Sequence, residues 1–136
     1  MPRIPLTWLE DHVELPVDVT AEALAADLVK VGLEEEAIHP AAVIGPLVVG
    51  RVLDLTPEEQ KNGKTINWCH VDVGVHNEIG PDGLGSRGIV CGAHNFVAGD
   101  LVVVALPGAV LPGPFAIAAR KTYGHVSDGM ICSVRE

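Results

Sequence analysis

Apolar residues recur along the chain with two different periods. Between Thr20 and Gly32 the positions Ala21, Leu24, Ala25, Leu28 and Val31 follow helical spacing. Thr20 stands where an N-cap belongs, Glu22 lies in the first turn and Gly32 ends the pattern, so one amphipathic helix is predicted. Before it, Leu6 to Val13 reads as a short helix exposing Glu10 and Asp11. After it, Leu33 to Ile38 reads as an extended strand closed by Pro40, with Glu34, Glu35 and Glu36 as a solvated edge.

From Gly45 onward the period becomes that of strands. Leu47 to Leu55, Ile66 to Val73, Arg87 to Cys91, Leu101 to Leu106 and Gly129 to Ser133 are short apolar or alternating runs separated by Gly, Pro, Asn and Asp. Five short strands predict a small barrel. Trp68, His70 and Asp72 alternate with Cys69, Val71 and Val73, which turns Cys69 inward and the tryptophan face outward. Gly74 to Gly88 reads as a long polar loop, and Leu106 to Pro114 as a second turn-rich connection. The expected fold is therefore mainly β within an α+β chain: a helix/strand appendage over residues 1–40, then a barrel over residues 41–136.

Charge sharpens that division. The 136 residues carry nine basic and eighteen acidic side chains, a net charge of −9. Residues 1–50 hold two basic and nine acidic residues, net −7, whereas 51–136 hold seven and nine, net −2. Such a balance argues against a protein that grips nucleic acid by bulk electrostatics, and DNA is not an expected partner. With 48% hydrophobic residues the chain can bury a core, which disfavours disordered and collagen-like readings despite 15 Gly and 10 Pro. No apolar run approaches the roughly 18 residues of a membrane helix, and the first residues are too soon charged for a secretory signal; the expectation is a cytoplasmic protein with no membrane partner. Three cysteines are expected to be free thiols.

Three local patterns invite chemistry. Gly83-Leu84-Gly85-Ser86-Arg87-Gly88 fits G-x-G-x-x-G, but a strand and no helix follows it, so a hairpin loop is expected in place of a phosphate cradle. Cys69-His70, Cys91-x-x-His94 and Cys132 supply zinc-type donors at spacings unlike a knuckle, within strands where cysteine is ordinarily a small core residue; no metal site is expected. Nothing local lowers a thiol pKa, and no catalytic residue is assigned.

The most informative stretches are Ile89-Val90-Cys91-Gly92-Ala93-His94-Asn95-Phe96, Gly99-Asp100, Ala105-Leu106-Pro107-Gly108-Ala109, and Arg120-Lys121-Thr122-Tyr123-Gly124-His125-Val126-Ser127-Asp128-Gly129-Met130-Ile131-Cys132-Ser133. In this order they closely resemble the tRNA-binding oligonucleotide/oligosaccharide-binding (OB) domain of free-standing tRNA-binding proteins, some methionyl-tRNA synthetases and bacterial phenylalanyl-tRNA synthetase beta subunits. Ile4-Pro5-Leu6-Thr7-Trp8-Leu9-Glu10, the Thr20 helix and Gly32-Leu33-Glu34-Glu35-Glu36 resemble the amino-terminus of that beta subunit. Where the family often carries a His-Pro-Asn-Ala-Asp turn with basic residues, this chain has Thr56-Pro57-Glu58-Glu59-Gln60-Lys61-Asn62-Gly63-Lys64. The family pattern continues beyond the position of Glu136, so the chain is expected to be an amino-terminal fragment.

The resemblance implies a parent alpha2-beta2 ligase that joins L-phenylalanine to tRNA with ATP and Mg2+, its aminoacylation site in the alpha subunit. For this fragment it implies no cofactor, no catalytic residue and an auxiliary tRNA-binding role. OB barrels hold strands with cations for phosphate and aromatic faces for bases. The residues expected to contact tRNA are Arg51, His94, Asn95, Phe96, Arg120, Lys121, Tyr123 and Ser127. The competing expectations are a free-standing tRNA-binding protein and a structural spacer that hardly touches RNA.

Overall fold

The computed structural model describes residues 3–79, 83 and 85–133, and divides the chain into two compact units, Met1–Pro40 and Ala41–Glu136. In the first unit α1 (Leu6–Glu10) and α2 (Ala21–Lys30) form. The Ala23 amide donates to Thr20 Oγ1 at 3.2 Å, Lys30 pairs with Asp27 at 2.7 Å, and Gly32 at φ +91° lets the Leu33 amide close back onto the Leu28 carbonyl. The Thr20 cap and the Gly32 stop are those that the sequence specifies. Two expectations fail here. α1 stops at Glu10, short of Val13, and Leu33 to Ile38 forms no strand. A lone strand leaves its backbone groups without partners, and no strand of the described residues pairs with this segment. Ala25 is the one buried apolar residue described in this unit, and Leu28, Val29 and Val31 are exposed.

The second unit is built on five antiparallel strands: β1 (Leu47–Glu59), β2 (Thr65–Asp72), β3 (Arg87–Cys91), β4 (Leu101–Ala105) and, last in the chain, β9 (Met130–Ile131). Two small hairpins, β5 (Val110–Leu111) with β6 (Phe115–Ala116) and β7 (Arg120–Thr122) with β8 (His125–Ser127), lie between β4 and β9. The hydrogen-bonded order is β3-β2-β1-β4-β9, and β9 also lies against β3. The sheet therefore nearly closes in the cyclic order β1-β2-β3-β9-β4, the arrangement of an OB barrel.

β1 serves both sides of the barrel because it bends. Its first half pairs with β4 from Leu47↔Ala105 to Arg51↔Leu101, and its second half pairs with β2 from Arg51↔Asp72 to Glu59↔Thr65, with a bulge between Val52 and Asp54. The strand runs four residues past the expected end at Leu55, through Pro57. Proline is tolerated because this half of β1 pairs only with β2, so the missing N–H faces no second partner. Inside lie Cys69, Val71, Val73, Ile89, Cys91, Val104 and Leu106, with Phe96 and Ile131 packed around them. Cys69 points inward as the alternation predicts. Gly50 is required on β1, since a Cβ there would stand 2.6 Å from Val71 Cγ1 in this core.

Candidate nucleic-acid interface

On the outer face of β2, Trp68, His70 and Asp72 alternate against the buried Cys69 and Val71. Trp68 lies opposite Val90 of β3, and its indole covers Gly88, where a Cβ would meet Trp68 Cη2 at 2.2 Å. The final glycine of the Gly83-to-Gly88 pattern is therefore a seat for an indole. Before it, a bridge joins Ile79 and Gly85 and the chain enters β3 with no helix; Gly80, Pro81, Asp82 and Leu84, the last of them part of that pattern, lie outside the described residues.

The β7–β8 hairpin sits beside this face. Tyr123 at φ +51° and Gly124 at φ +88° make a two-residue turn of the mirror-image type that hairpin twist favours. A tyrosine in left-handed backbone is strained, and here it places a ring at the hairpin tip. Ser127 Oγ accepts from the Val90 amide at 3.0 Å and donates to the Gly129 carbonyl at 3.2 Å, while the Asp128 amide donates to the Gly88 carbonyl at 2.8 Å. The base of the hairpin is thus bonded to β3. At the other end His125 stacks on Trp68 with centroids 4.2 Å apart and planes 12° apart, and its Nε2 lies 3.0 Å from both carboxylate oxygens of Glu58.

The register separates the two adjacent cations. Arg120 pairs with Ser127 and Lys121 with Val126, so strand alternation puts Arg120 and Lys121 on opposite faces of the hairpin. The Arg120 guanidinium carbon stands 5.9 Å from the Phe115 ring centroid, within reach of a cation–π contact. Both line a shallow groove of about 160 Å³ with Val90, Ile117, Thr122 and Ser127. Lys121 and Tyr123 are exposed.

The other expected contact residues fall elsewhere. Arg51 donates to the Gly99 carbonyl at 3.0 Å and so holds the turn before β4. His94, Asn95 and Phe96 share the turn after β3. There the buried Asn67, which the alternation alone did not single out, donates to the Ala93 carbonyl at 2.7 Å and lies 3.2 Å from His94 Nδ1. Phe96 packs on the core, and with Asn95 it lines a second groove of about 340 Å³.

Electrostatics narrows where phosphate can approach. Arg87 is buried, its side chain bonded to the His76 carbonyl, Asp128 and Glu78, and is withdrawn from the surface. Asp54 accepts from His70 Nδ1 at 2.7 Å, and Glu58 lies at the next outward position beyond Thr56. The Asp72 carboxyl is held below its ordinary range by the Asn77 side-chain amide and then the Gly74 amide. The β2 face is thus lined with anions, and among the described residues of the second unit exposed positive charge is left to Arg51, to the β7–β8 hairpin and to Lys61 and Lys64 in the β1–β2 loop. Burial, with Cys91 and Asp54 nearby, pushes the Cys69 thiol up to about 12, far from a nucleophile. Cys69 is a buried thiol, and among the described residues no three His, Cys, Asp or Glu side chains cluster as metal ligands. No helix among them is long and apolar enough to cross a membrane.

A nearly closed five-strand barrel in this strand order is an OB fold, a class of barrel that holds oligonucleotides or oligosaccharides. The chain belongs to the family described as "Putative tRNA binding domain", whose model matches residues 47–136. It is 64% identical to the phenylalanine–tRNA ligase beta subunit of Bifidobacterium longum over 100% of its own length and 16% of that protein's. The beta subunits of Leifsonia xyli and Thermobifida fusca are 56% and 53% identical over 98% of the chain and 16% of theirs. The chain therefore spans a small part of the relatives it matches.

Proposed function

We propose that this chain is an auxiliary tRNA-binding module of a phenylalanine–tRNA ligase beta subunit, working in the cytoplasm beside an alpha subunit in an alpha2-beta2 enzyme. The observation that carries the RNA-binding part is the β7–β8 hairpin, which brings Arg120 over Phe115 and presents Lys121 and Tyr123 at an exposed, family-matched edge of the barrel. Lys121 and Arg120 serve phosphate, and Tyr123 offers a face for a base. Exposed His94 and Asn95 form a second contact region. Arg51 and Ser127 support the interface by holding loops, since their polar atoms bond Gly99, Val90 and Gly129. Phenylalanine activation with ATP and Mg2+ would belong to the rest of such an enzyme, and no step of it is assigned to these residues.

With so few free cations, two to four phosphate contacts give a log–log salt slope on the order of −1.5 to −3.5. Fluorescence anisotropy with labelled tRNA(Phe) at several salt concentrations tests this. Replacing Arg120 and Lys121 together by Ala should lower affinity markedly and flatten the slope, and Lys61→Ala should matter less. A double variant that binds like the parent at low salt would favour the spacer reading, which the anionic β2 face and net charge of −9 support.

A further inference from the structure

We propose that Glu58, His125 and Trp68 form a clasp that holds the β7–β8 hairpin in its RNA-binding position, making Glu58, itself an anion, a positioning residue for tRNA binding. The proposal rests on the hairpin being the tRNA contact. A hairpin of two three-residue strands is marginal by itself, and this one carries a strained tyrosine in its turn. Its base is bonded to β3 through Ser127 and Asp128. The tip end, where Lys121 and Tyr123 lie, is joined to the sheet through His125, one residue after the turn. That ring is held from two directions at once, by the indole beneath it and by the Glu58 carboxylate at its Nε2.

The groups around the imidazole make Glu58 its charged partner. From β2 come Trp68 and, 5.5 Å from the indole at its edge, His70, whose Nδ1 is bonded to Asp54. On β3, Gly88 and Val90 lie against the indole and carry no charge, and across the hairpin from His125 stands Thr122. Losing the carboxylate leaves only the stack to order the tip. Apparent affinity falls by the fraction of molecules whose hairpin remains in place, so a drop to between a third and a tenth weakens binding about three- to tenfold.

Simple electrostatics requires the opposite sign, because removing an anion beside an RNA path strengthens binding. Anisotropy titrations of labelled tRNA(Phe) with the parent chain, Glu58→Ala, Glu58→Gln and the Arg120→Ala/Lys121→Ala double variant separate the two. The clasp predicts weaker binding by Glu58→Ala and recovery in Glu58→Gln, which keeps an acceptor for His125 Nε2–H without the charge. It also predicts, in a Trp8→Phe background, altered Trp68 emission for Glu58→Ala and faster amide exchange at residues 121–125 without RNA. Glu58→Ala binding as tightly as the parent, or more tightly, overturns the clasp. If the double variant loses binding in that case, the hairpin reading stands and the clasp alone fails. If the double variant binds like the parent, or the parent binds no tRNA, the hairpin reading fails and the clasp falls with it.

Discussion

Gly88→Ala tests the packing on which the outer face depends. An added Cβ would lie 2.2 Å from Trp68 Cη2, 2.6 Å from Cζ2 and 3.3 Å from Cζ3. Carbon atoms in ordinary contact stand about 3.5–4.0 Å apart, so the indole must retreat by more than roughly 1 Å or β3 must shift from β2. The indole is rigid and also stacks on the His125 ring at 4.2 Å, so its displacement disturbs that stack. Overpacking of this kind costs about 1–3 kcal/mol, and the lost ring contact adds about 0.5–1.5 kcal/mol. Strand propensity alone predicts the reverse, because alanine replaces glycine favourably where space allows. Urea unfolding of Gly88→Ala in a Trp8→Phe background, read through Trp68 emission, should show a lower midpoint at unchanged m-value. Gly92→Ala, where no atom lies within 4 Å of the new Cβ, should stay within about 0.5 kcal/mol of the parent. A Gly88→Ala chain as stable as that control, with unaltered Trp68 emission, would refute the packing argument.

Asp128→Ala strips the buried Arg87 guanidinium of its nearer carboxylate in the turn before β9 and should cost up to about 3 kcal/mol in denaturant unfolding, because the buried charge then keeps only the exposed Glu78 carboxylate and the His76 carbonyl. Cys69 should resist alkylation at pH 9 until the chain unfolds. Its folded pKa is raised from 9.0 to about 12, so the folded state keeps a proton that the unfolded state releases, and stability should fall as pH rises through that window by up to about 1.4 kcal/mol per unit; Cys69→Val should lessen the fall. Amides of α2 should exchange faster than those of β1 to β4, since Ala25 is the only buried apolar residue described in the first unit; equal protection in a monomer would contradict this.

Local pattern determined what depends on neighbours in sequence. The Thr20 cap, the Gly32 stop and the Trp68/Cys69 alternation predict α2 and β2 correctly, because a helix turn and a strand pleat are set by residues one to four positions apart. The order of motifs along the whole chain also carries the family, to which the domain model and the 64% identical relative assign it. Pairing across long distances decided the rest. Leu33 to Ile38 has strand-like residues and no partner, whereas Thr56 to Glu59 looks like a turn and is drawn into β1 by β2. Arg120 and Lys121 read as a cationic pair until the hairpin register sends them to opposite faces. Asn67 holding the His94 turn, Gly88 under Trp68, and Glu58 meeting His125 across 67 residues left no local periodicity to detect. Each exists because barrel closure places distant strands side by side, and that proximity is a property of the tertiary fold alone.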